Sequence, residues 1–408
     1  MPPRWQEEAK KTGALTRARG VSGPDALLRT LLIHLANGYS LTETVARAKQ
    51  TGLADMSAVA LFKRLRAAEH WLHWLARELG AASGWDLPAG SVRYRAVDAT
   101  VVSEPGSAGT DWRLHYSLTL NDLRCDFFEI TDVTGGETWR RIPVSPGDVL
   151  LGDRIYGTPT SIAHVLAAKG AVIARVNHHA LPLFEADGGA FPMLRRFGML
   201  RVGKAQEWPT FARHKGRRLN GRLIAVKRTA GATRRVRKRI ARKASRKQVS
   251  VPQESWRAAP YFFVWTSLPR EFEPDQILKI YRLRWQVELA FKRMKSILGF
   301  GHLPKKDPAS ARAWLHGKLF VSLLAEHLIG FADELCAGER KLSRERRSRW
   351  REVGFMAHEI SSSVLPRTDL ATTLERWNEI ARGLGETRRN RIRQMLTDPA
   401  QWKTRAEQ

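Results

Sequence analysis

The sequence predicts an α/β protein. A mixed sheet covered by helices is interrupted by a basic, β-rich insertion and flanked by helical N-terminal and C-terminal regions. Three observations carry this. Apolar residues recur at helical spacing as far as about Gly80, then alternate with period two between Val92 and Asp132. A short apolar strand, a helix and a second apolar strand follow between Asp148 and Val176, an order that favours parallel pairing. Residues 178–260 are rich in Gly, Pro, Arg and Lys, and the apolar pattern resumes at Tyr261.

Composition bounds the rest. The 408 residues, 43% of them hydrophobic, suffice for two or three domains. The formal net charge is +29 and the pI about 10.9. That excess argues for a polyanionic partner, nucleic acid first and an anionic membrane surface second. No long uninterrupted apolar run is present to span a membrane, and the N-terminus lacks the apolar core of a signal peptide. Cys125 and Cys336 are the only cysteines, too few for a disulfide framework or a Cys-based zinc site, which fits a reducing cytoplasm. Fourteen tryptophans are unusually many; most belong to the core, and some suit stacking on bases.

Taken in order, residues 1–22 read as a loose basic arm. Ser40 caps a helix running to Gln50. Gly52 ends that pattern, and Ser57 caps a long amphipathic helix running to Leu79. Helix, Gly-containing turn and a helix bearing Lys63, Arg64 and Arg66 fit a helix-turn-helix and equally a plain bundle, because Leu61, Leu65, Trp71, Leu72 and Leu75 must pack in either. Val92–Asp98 is a strand ending in an acid. Segments 112–120 and 124–132 are two more strands joined at Asn121-Asp122. Asp148–Asp153 is again an apolar strand ending in an acid, followed by a helix over about 160–169 and a strand over 171–176. The insertion holds strand-like pieces near 198–202 and 222–228. Arg234–Lys247 carries nine Lys or Arg in fourteen positions and reads either as an exposed basic helix or as a disordered arm. Segment 261–267 is an apolar strand, and amphipathic helices follow from Pro274 and from about Ala309 to Leu335. The boundaries are thus 1–88, 89–178, 179–260, 261–338 and 339–408; the last segment is helical and basic, with no recognisable site.

The helix after Pro274 carries the densest chemistry. Tyr281, Arg284, Glu288 and Lys295 stand at offsets 0, +3, +7 and +14, within about a 60° stripe of one helix. Ile280, Leu283, Val287, Met294 and Leu298 form an adjacent apolar stripe that docks it. Alone, such an edge reads as a solvated face with ordinary i,i+4 pairs. Asp98 and Asp153 change that reading. Carboxylates at strand ends of an α/β layer gather at one sheet edge, where ligands bind. With Glu288 they make three oxygen donors suited to a pair of Mg²⁺ or Mn²⁺ ions. Two-metal sites perform phosphodiester cleavage and strand transfer, and no Ser-His-Asp arrangement or phosphate-binding Gly loop competes.

These residues resemble the DDE transposases of the insertion-sequence-four group. Tyr281, Arg284, Glu288 and Lys295 meet that group's Tyr-x2-Arg-x3-Glu-x6-Lys signature. Leu-Leu-Gly-Asp153-Arg-Ile-Tyr-Gly is similar to its Asp-Arg-Gly-Tyr segment with Ile155 in place of Gly, and Ala-Val-Asp98-Ala-Thr is similar to its first-acid segment. The resemblance covers about residues 90–335. It implies an RNase H-like core with the insertion before the last helix, and a catalytic and metal set of Asp98, Asp153 and Glu288 holding two Mg²⁺ or Mn²⁺. It implies Tyr281, Arg284, Lys295 and Arg154 as DNA contacts, and an aromatic platform for a flipped base, for which Phe262 aligns best with Tyr261 and Trp265 near. It also implies cut-and-paste transposition through a hairpin, with terminal inverted repeats and target DNA as partners. A homodimer in the synaptic complex and a bacterial, nucleoid-associated cytoplasmic location belong to the same expectation. Two other readings use the same fold, a DNA-binding regulator with an inert core and a nuclease that does not transpose; the intact acids oppose the first, and Tyr281 with Arg284 opposes the second.

Overall fold

A computed structural model describes residues 1–81, 92–107, 109–177, 179–304, 306–336 and 347–364, with 374, 375 and 378. Most of the segment 339–408, and with it the expectation of a basic helical tail, lies outside the described residues. Two compact units are woven from discontinuous segments. The described parts of the first are 1–81, 99–136 and 286–364; those of the second are 92–98 and 137–285.

The first unit is mostly helical. It contains α1 (Trp5–Lys11), α2 (Pro24–Asn37), α3 (Leu41–Gln50), α4 (Ala58–Ala67) and α5 (Glu69–Ala81), then α12 (Pro308–Leu335) and α13 (Arg349–Ser363). Helix α12 is 28 residues long and buried along most of its length, with α2, α4, α5 and α13 packed on it. Gly317 permits the approach of α2: a Cβ there would lie 2.5 Å from Leu35 Cδ1. Ser40 and Ser57 cap α3 and α4 by accepting from the Glu43 and Ala60 amides at 3.1 and 3.2 Å. Leu61, Leu65, Trp71, Leu72 and Leu75 are all buried.

Two expectations fail in this unit for identifiable reasons, and two of its basic side chains are engaged internally. The N-terminal arm is ordered because Trp5 stacks on Trp71 and accepts its indole N–H through the Trp5 carbonyl at 2.9 Å. The long helix from Ser57 divides at Ala68, which caps α4. Arg64 and Arg66 are engaged internally: Arg64 donates to the carbonyls of Arg17 and Arg19 at 2.9 and 2.7 Å, and Arg66 pairs with Asp307. Lys63 and Arg66 remain exposed, Arg66 in a surface pair, while Arg64 is partly covered.

Strands β2 (Trp112–Thr119) and β3 (Cys125–Asp132) form the expected antiparallel hairpin of this unit, with a bulge between Ser117 and Leu118. The unit also receives most of α11 (Trp285–Ile297). A buried chain of charges ties three helices together: Arg293 of α11 and Arg349 of α13 both pair with Glu326 of α12, and Arg349 also pairs with Glu352.

The second unit is built on a sheet of order β1-β4-β5-β8-β7-β6: β1 (Arg93–Val102), β4 (Asp148–Gly152), β5 (Ala171–Arg175), β8 (Tyr261–Thr266), β7 (Arg217–Lys227) and β6 (Ala205–His214). Only the first half of β1 belongs to this unit. β1, β4 and β5 run parallel, joined at β4–β5 by α6 (Pro159–Ala167); β8, β7 and β6 continue antiparallel. The insertion is therefore part of the sheet. Its first strand-like piece shrinks to a single bridge, Val202 to Lys227, because Gly198 and Gly203 flank it, the latter at φ +76°. The strand begins instead at Ala205, after the short helix α7 (Met193–Phe197). β6 stands last in the order and carries Pro209 mid-strand, which an edge strand tolerates. The basic run is a regular helix, α8 (Ala230–Lys247), followed by the short α9 (Gln253–Ala258).

The signature helix is not continuous. α10 (Pro274–Leu283) ends and α11 begins at Arg284, whose amide donates to the Tyr281 carbonyl three residues back at 3.1 Å. The backbone stays helical there, φ −50° and ψ −30°, but tightens to a 3₁₀ turn, so the single stripe inferred from spacing is rotated at this point.

Candidate active site

The parallel pairing of β1 and β4 sets the site. Arg93 pairs with Asp148, Tyr94 with Val149, Arg95 with Leu150 and Ala96 with Leu151. Asp98 lies two residues past Ala96 on β1, and Asp153 directly follows Gly152, the last residue of β4, so the parallel register carries both acids toward the same end of the pair. The expectation that β1 stops at Asp98 is corrected: the strand runs on to Val102, while its ladder with β4 ends at Ala96. The register is locked at the far end by Arg93, which grips Asp148 with two hydrogen bonds of 2.6 and 2.8 Å, and by buried Arg95. Burial alone would raise the Asp148 carboxyl. The Arg93 hydrogen bonds, the Ser145 amide and the two cations outweigh it and hold the group below its ordinary value.

Gly152 sets the position of Asp153. A Cβ on it would lie 2.7 Å from both Trp139 Cζ2 and Tyr156 Cβ, so no larger residue fits. The Gly152 carbonyl accepts the Tyr281 hydroxyl at 3.2 Å, and Asp153 Oδ1 accepts the Ile155 amide at 2.8 Å. Arg284 Nη1 donates to Asp98 Oδ2 at 2.9 Å, in a pair largely shielded from water. Tyr281 and Arg284 thus each hold one of the two strands that carry the acids.

The same sheet edge gathers cations. Gly152 pairs with Ala174, so Arg175, the last residue of β5, falls beside Asp153. β8 runs the other way and starts at this edge with Tyr261 and Phe262; β7 ends there at Lys227, followed by Arg228. Phe262 is half-buried. Arg175 and Arg228 each lie 5.5 Å from its ring centroid, and the Tyr281 ring is 5.7 Å away. Burial first, and then the charge of Arg154, lowers Arg175 to about 10. Burial, Arg175 and Arg154 lower Arg228 to about 10 as well. Burial pushes the Tyr281 phenol up to about 12, against the pull of Arg284 and Arg175. Arg154, Arg175 and Arg228 make no ion pair among the described residues. Concentrated, partly desolvated guanidiniums beside an aromatic ring make an anion site with a stacking face.

Trp265 is corrected from DNA contact to core. It is 0% exposed, and its indole N–H donates to the Thr210 hydroxyl at 3.2 Å. Val264 and Thr266, on the opposite face of the strand, are equally buried, so this part of β8 is covered on both faces. Arg175 and Arg228 went unnoticed in the sequence. The signal was available, since both are cations at apolar strand ends, the positions that singled out Asp98 and Asp153.

Glu288 and Lys295 belong to the first unit. Glu288 is half-buried in the first turn of α11. Lys295 Nζ donates to the Val101 carbonyl at 2.9 Å, and burial lowers its pKa. Among the described residues, no three His, Cys, Asp or Glu side chains gather closely enough to hold a metal ion. The carboxylate pair Asp98 and Asp153 nonetheless offers the oxygen donors a hard divalent cation takes.

Residues 129–324 match the family model described as the transposase DDE domain. A protein described as transposase InsL for insertion sequence element IS186A of Escherichia coli (strain K12) is 33% identical over 336 residues, 80% of this chain and 91% of that protein. The chain belongs to the DDE transposases of insertion sequences. The transposase for IS421 of Escherichia coli is likewise 33% identical, over 337 residues and the same shares of both chains. The transposase for IS231F of Bacillus thuringiensis subsp. israelensis is 27% identical over 139 residues, 34% of this chain and 28% of that one. As a DDE transposase the chain is an enzyme that cleaves and transfers DNA, and its family generally works with divalent metal ions. No helix among the described residues is long and apolar enough to cross a membrane.

Proposed function

We propose that this transposase is of the hairpin-forming cut-and-paste type of the insertion-sequence-four group. In this reading Asp98, Asp153 and Glu288 hold two Mg²⁺ or Mn²⁺ ions, and the substrates are terminal inverted repeats and target DNA. The supporting observation is the end of the parallel β1–β4 pair toward which Asp98 and Asp153 lie, with Arg284 paired to Asp98, Tyr281 bonded to the Gly152 carbonyl and Phe262 beside Tyr281. The metal, when bound, supplies charge neutralisation at the reacting phosphate and a lowered pKa for the attacking hydroxyl.

The chain's own groups do the rest. Arg284 pairs with Asp98 in the free protein, and in this reading its planar guanidinium turns to a DNA phosphate, which it can grip in two places. Tyr281 keeps its proton, so its hydroxyl donates to an anion and never repels one. Arg154, Arg175 and Arg228 draw the strand into the edge. Phe262, flanked by two guanidiniums, receives a base turned out of the stack, offsetting the few kcal/mol of lost stacking. Lys295 contacts the strand near the cut. The helical first unit recognises the repeats, and a homodimer places each catalytic edge on the opposite end.

Asp153→Asn tests the assignment. It should abolish Mg²⁺-dependent cleavage of inverted-repeat DNA while leaving DNA binding within a few fold; undiminished cleavage overturns it.

A further inference from the structure

No acid occurs between Glu207 and Glu254, a stretch holding sixteen Lys and Arg. Nine of them lie on α8, where every one is exposed. At about 100° per residue, all but Arg237 and Lys247 fall on one half of the helix. Thr233, Val236, Ile240 and Ala244 line the other half and are each partly covered. The helix therefore rests on its small apolar side and presents its cations outward.

That arrangement is unfavourable in the free protein. Six like-charged i,i+4 pairs, from Arg234 with Lys238 to Lys243 with Lys247, repel along the helix, and like pairs at this spacing destabilise it. A polyanion relieves the repulsion. The helix also joins the active-site edge directly: Thr229, its cap, follows Arg228, and Arg239 lies within electrostatic reach of Arg228.

We propose that α8 is a duplex-tracking helix that grips the backbone phosphates of double-stranded DNA next to the catalytic edge without reading its sequence. Its 18 residues span about 27 Å, the length of about eight base pairs. Charge alone would also fit an anionic membrane surface. Helices that lie on membranes, however, insert a bulky apolar face. Here that side carries no bulky apolar residue beyond Val236 and Ile240, which are already partly covered by the protein, and it also holds Arg237 and Lys247. The proposal rests on the transposase reading for the DNA's presence, and its test is independent of cleavage.

The experiment compares the full-length protein with a variant carrying Arg234→Gln, Lys238→Gln and Arg242→Gln. Glutamine keeps helix propensity and removes charge. Affinity is measured by fluorescence anisotropy across a KCl series, on a duplex bearing the inverted repeat and on a shuffled duplex of equal length. The expected result is a log–log salt slope shallower by about 2 to 3, with affinity weakened tenfold or more, equally on both duplexes. A matching variant with Arg234→Lys and Arg242→Lys should keep the slope, since phosphate gripping needs charge only, and it controls for folding. Unchanged slope and affinity in the glutamine variant overturn the proposal. So does a loss confined to the inverted-repeat duplex, which means base readout, or a loss of binding only to phosphatidylglycerol vesicles, which means a membrane. If Asp153→Asn leaves cleavage intact while the slope falls, the helix proposal stands and the active-site reading fails; the converse separates them the other way.

Discussion

Removing the Arg284 guanidinium should deprive the shielded Asp98 carboxylate of the cation that pairs with it. The pair is 2.9 Å apart, with side-chain exposures of 13% and 17%. At an effective dielectric near 20, a separation of 2.9 Å corresponds to about 6 kcal/mol of gross attraction. Desolvation of both groups cancels most of that, leaving about 2 kcal/mol, the usual net worth of a charged hydrogen bond. Arg284→Ala should therefore lower unfolding stability by about 2 kcal/mol. Asp98→Asn removes the charge that needs a partner, so adding Arg284→Ala to it should lower stability by well under 1 kcal/mol. Urea unfolding of the wild type, both single variants and the double variant closes the cycle. A coupling energy within about 0.5 kcal/mol of zero would refute the argument that this pair holds the acid in place. In DNA assays, Arg284→Ala should impair hairpin formation more than first-strand nicking; equal loss of both would remove the phosphate-gripping role.

Three further outcomes are expected. Gly152→Ala forces a Cβ to within 2.7 Å of Trp139 and Tyr156 and should lower stability by about 1–3 kcal/mol in thermal unfolding, with cleavage falling as Asp153 shifts; a neutral variant contradicts the packing argument. Glu326→Ala strips Arg293 and Arg349 of a buried partner and should lower stability by about 3–5 kcal/mol in urea unfolding, far more than an exposed Glu43→Ala. His316 is pushed down to about 3 from 6.5 by burial, with His73 and Arg312 adding to it. The unfolded chain therefore takes up a proton below 6.5 that the folded protein refuses until about 3, and stability should fall by up to about 1.4 kcal/mol per pH unit across that window. His316→Phe should flatten the decline between pH 7 and pH 5 in urea midpoints, and an unchanged slope rules His316 out.

Much of the architecture was legible because local chemistry and tertiary packing agreed. The caps at Ser40 and Ser57, the alternating strands 112–132 and the β-α-β around α6 all follow rules that act within a few residues. What escaped depended on partners distant in the chain. Trp5 looked like part of a loose arm until Trp71, 66 residues on, provided a stacking face. Trp265 looked like a platform for a base because aromatic identity does not reveal which face of a strand is covered. In the candidate site, Asp98 and Asp153 were readable as acids closing apolar strand segments, and both follow the parallel β1–β4 ladder in the chain. Arg175 and Arg228 were not singled out, because a cation in so basic a chain carries little information until the sheet order shows which strand ends meet. The break at Arg284 was equally hidden: a 3₁₀ turn leaves no mark on hydrophobic periodicity over three residues.

Pro209 has a consequence for how the protein behaves at high concentration. β6 is a ten-residue strand with no further strand beyond it in the order of its sheet, bridged on its outer side at Phe211 by Phe184. A strand of that length with every amide available would recruit the matching strand of another copy, and crowded chains would grow into ribbons by edge-to-edge pairing. Proline has no amide hydrogen to offer, and here it sits at the middle of the strand, so no run of more than about five residues can be extended on either side. Pro209, together with the Phe184 bridge at Phe211, keeps this margin from becoming a template, and Pro209→Thr should raise light scattering of concentrated protein.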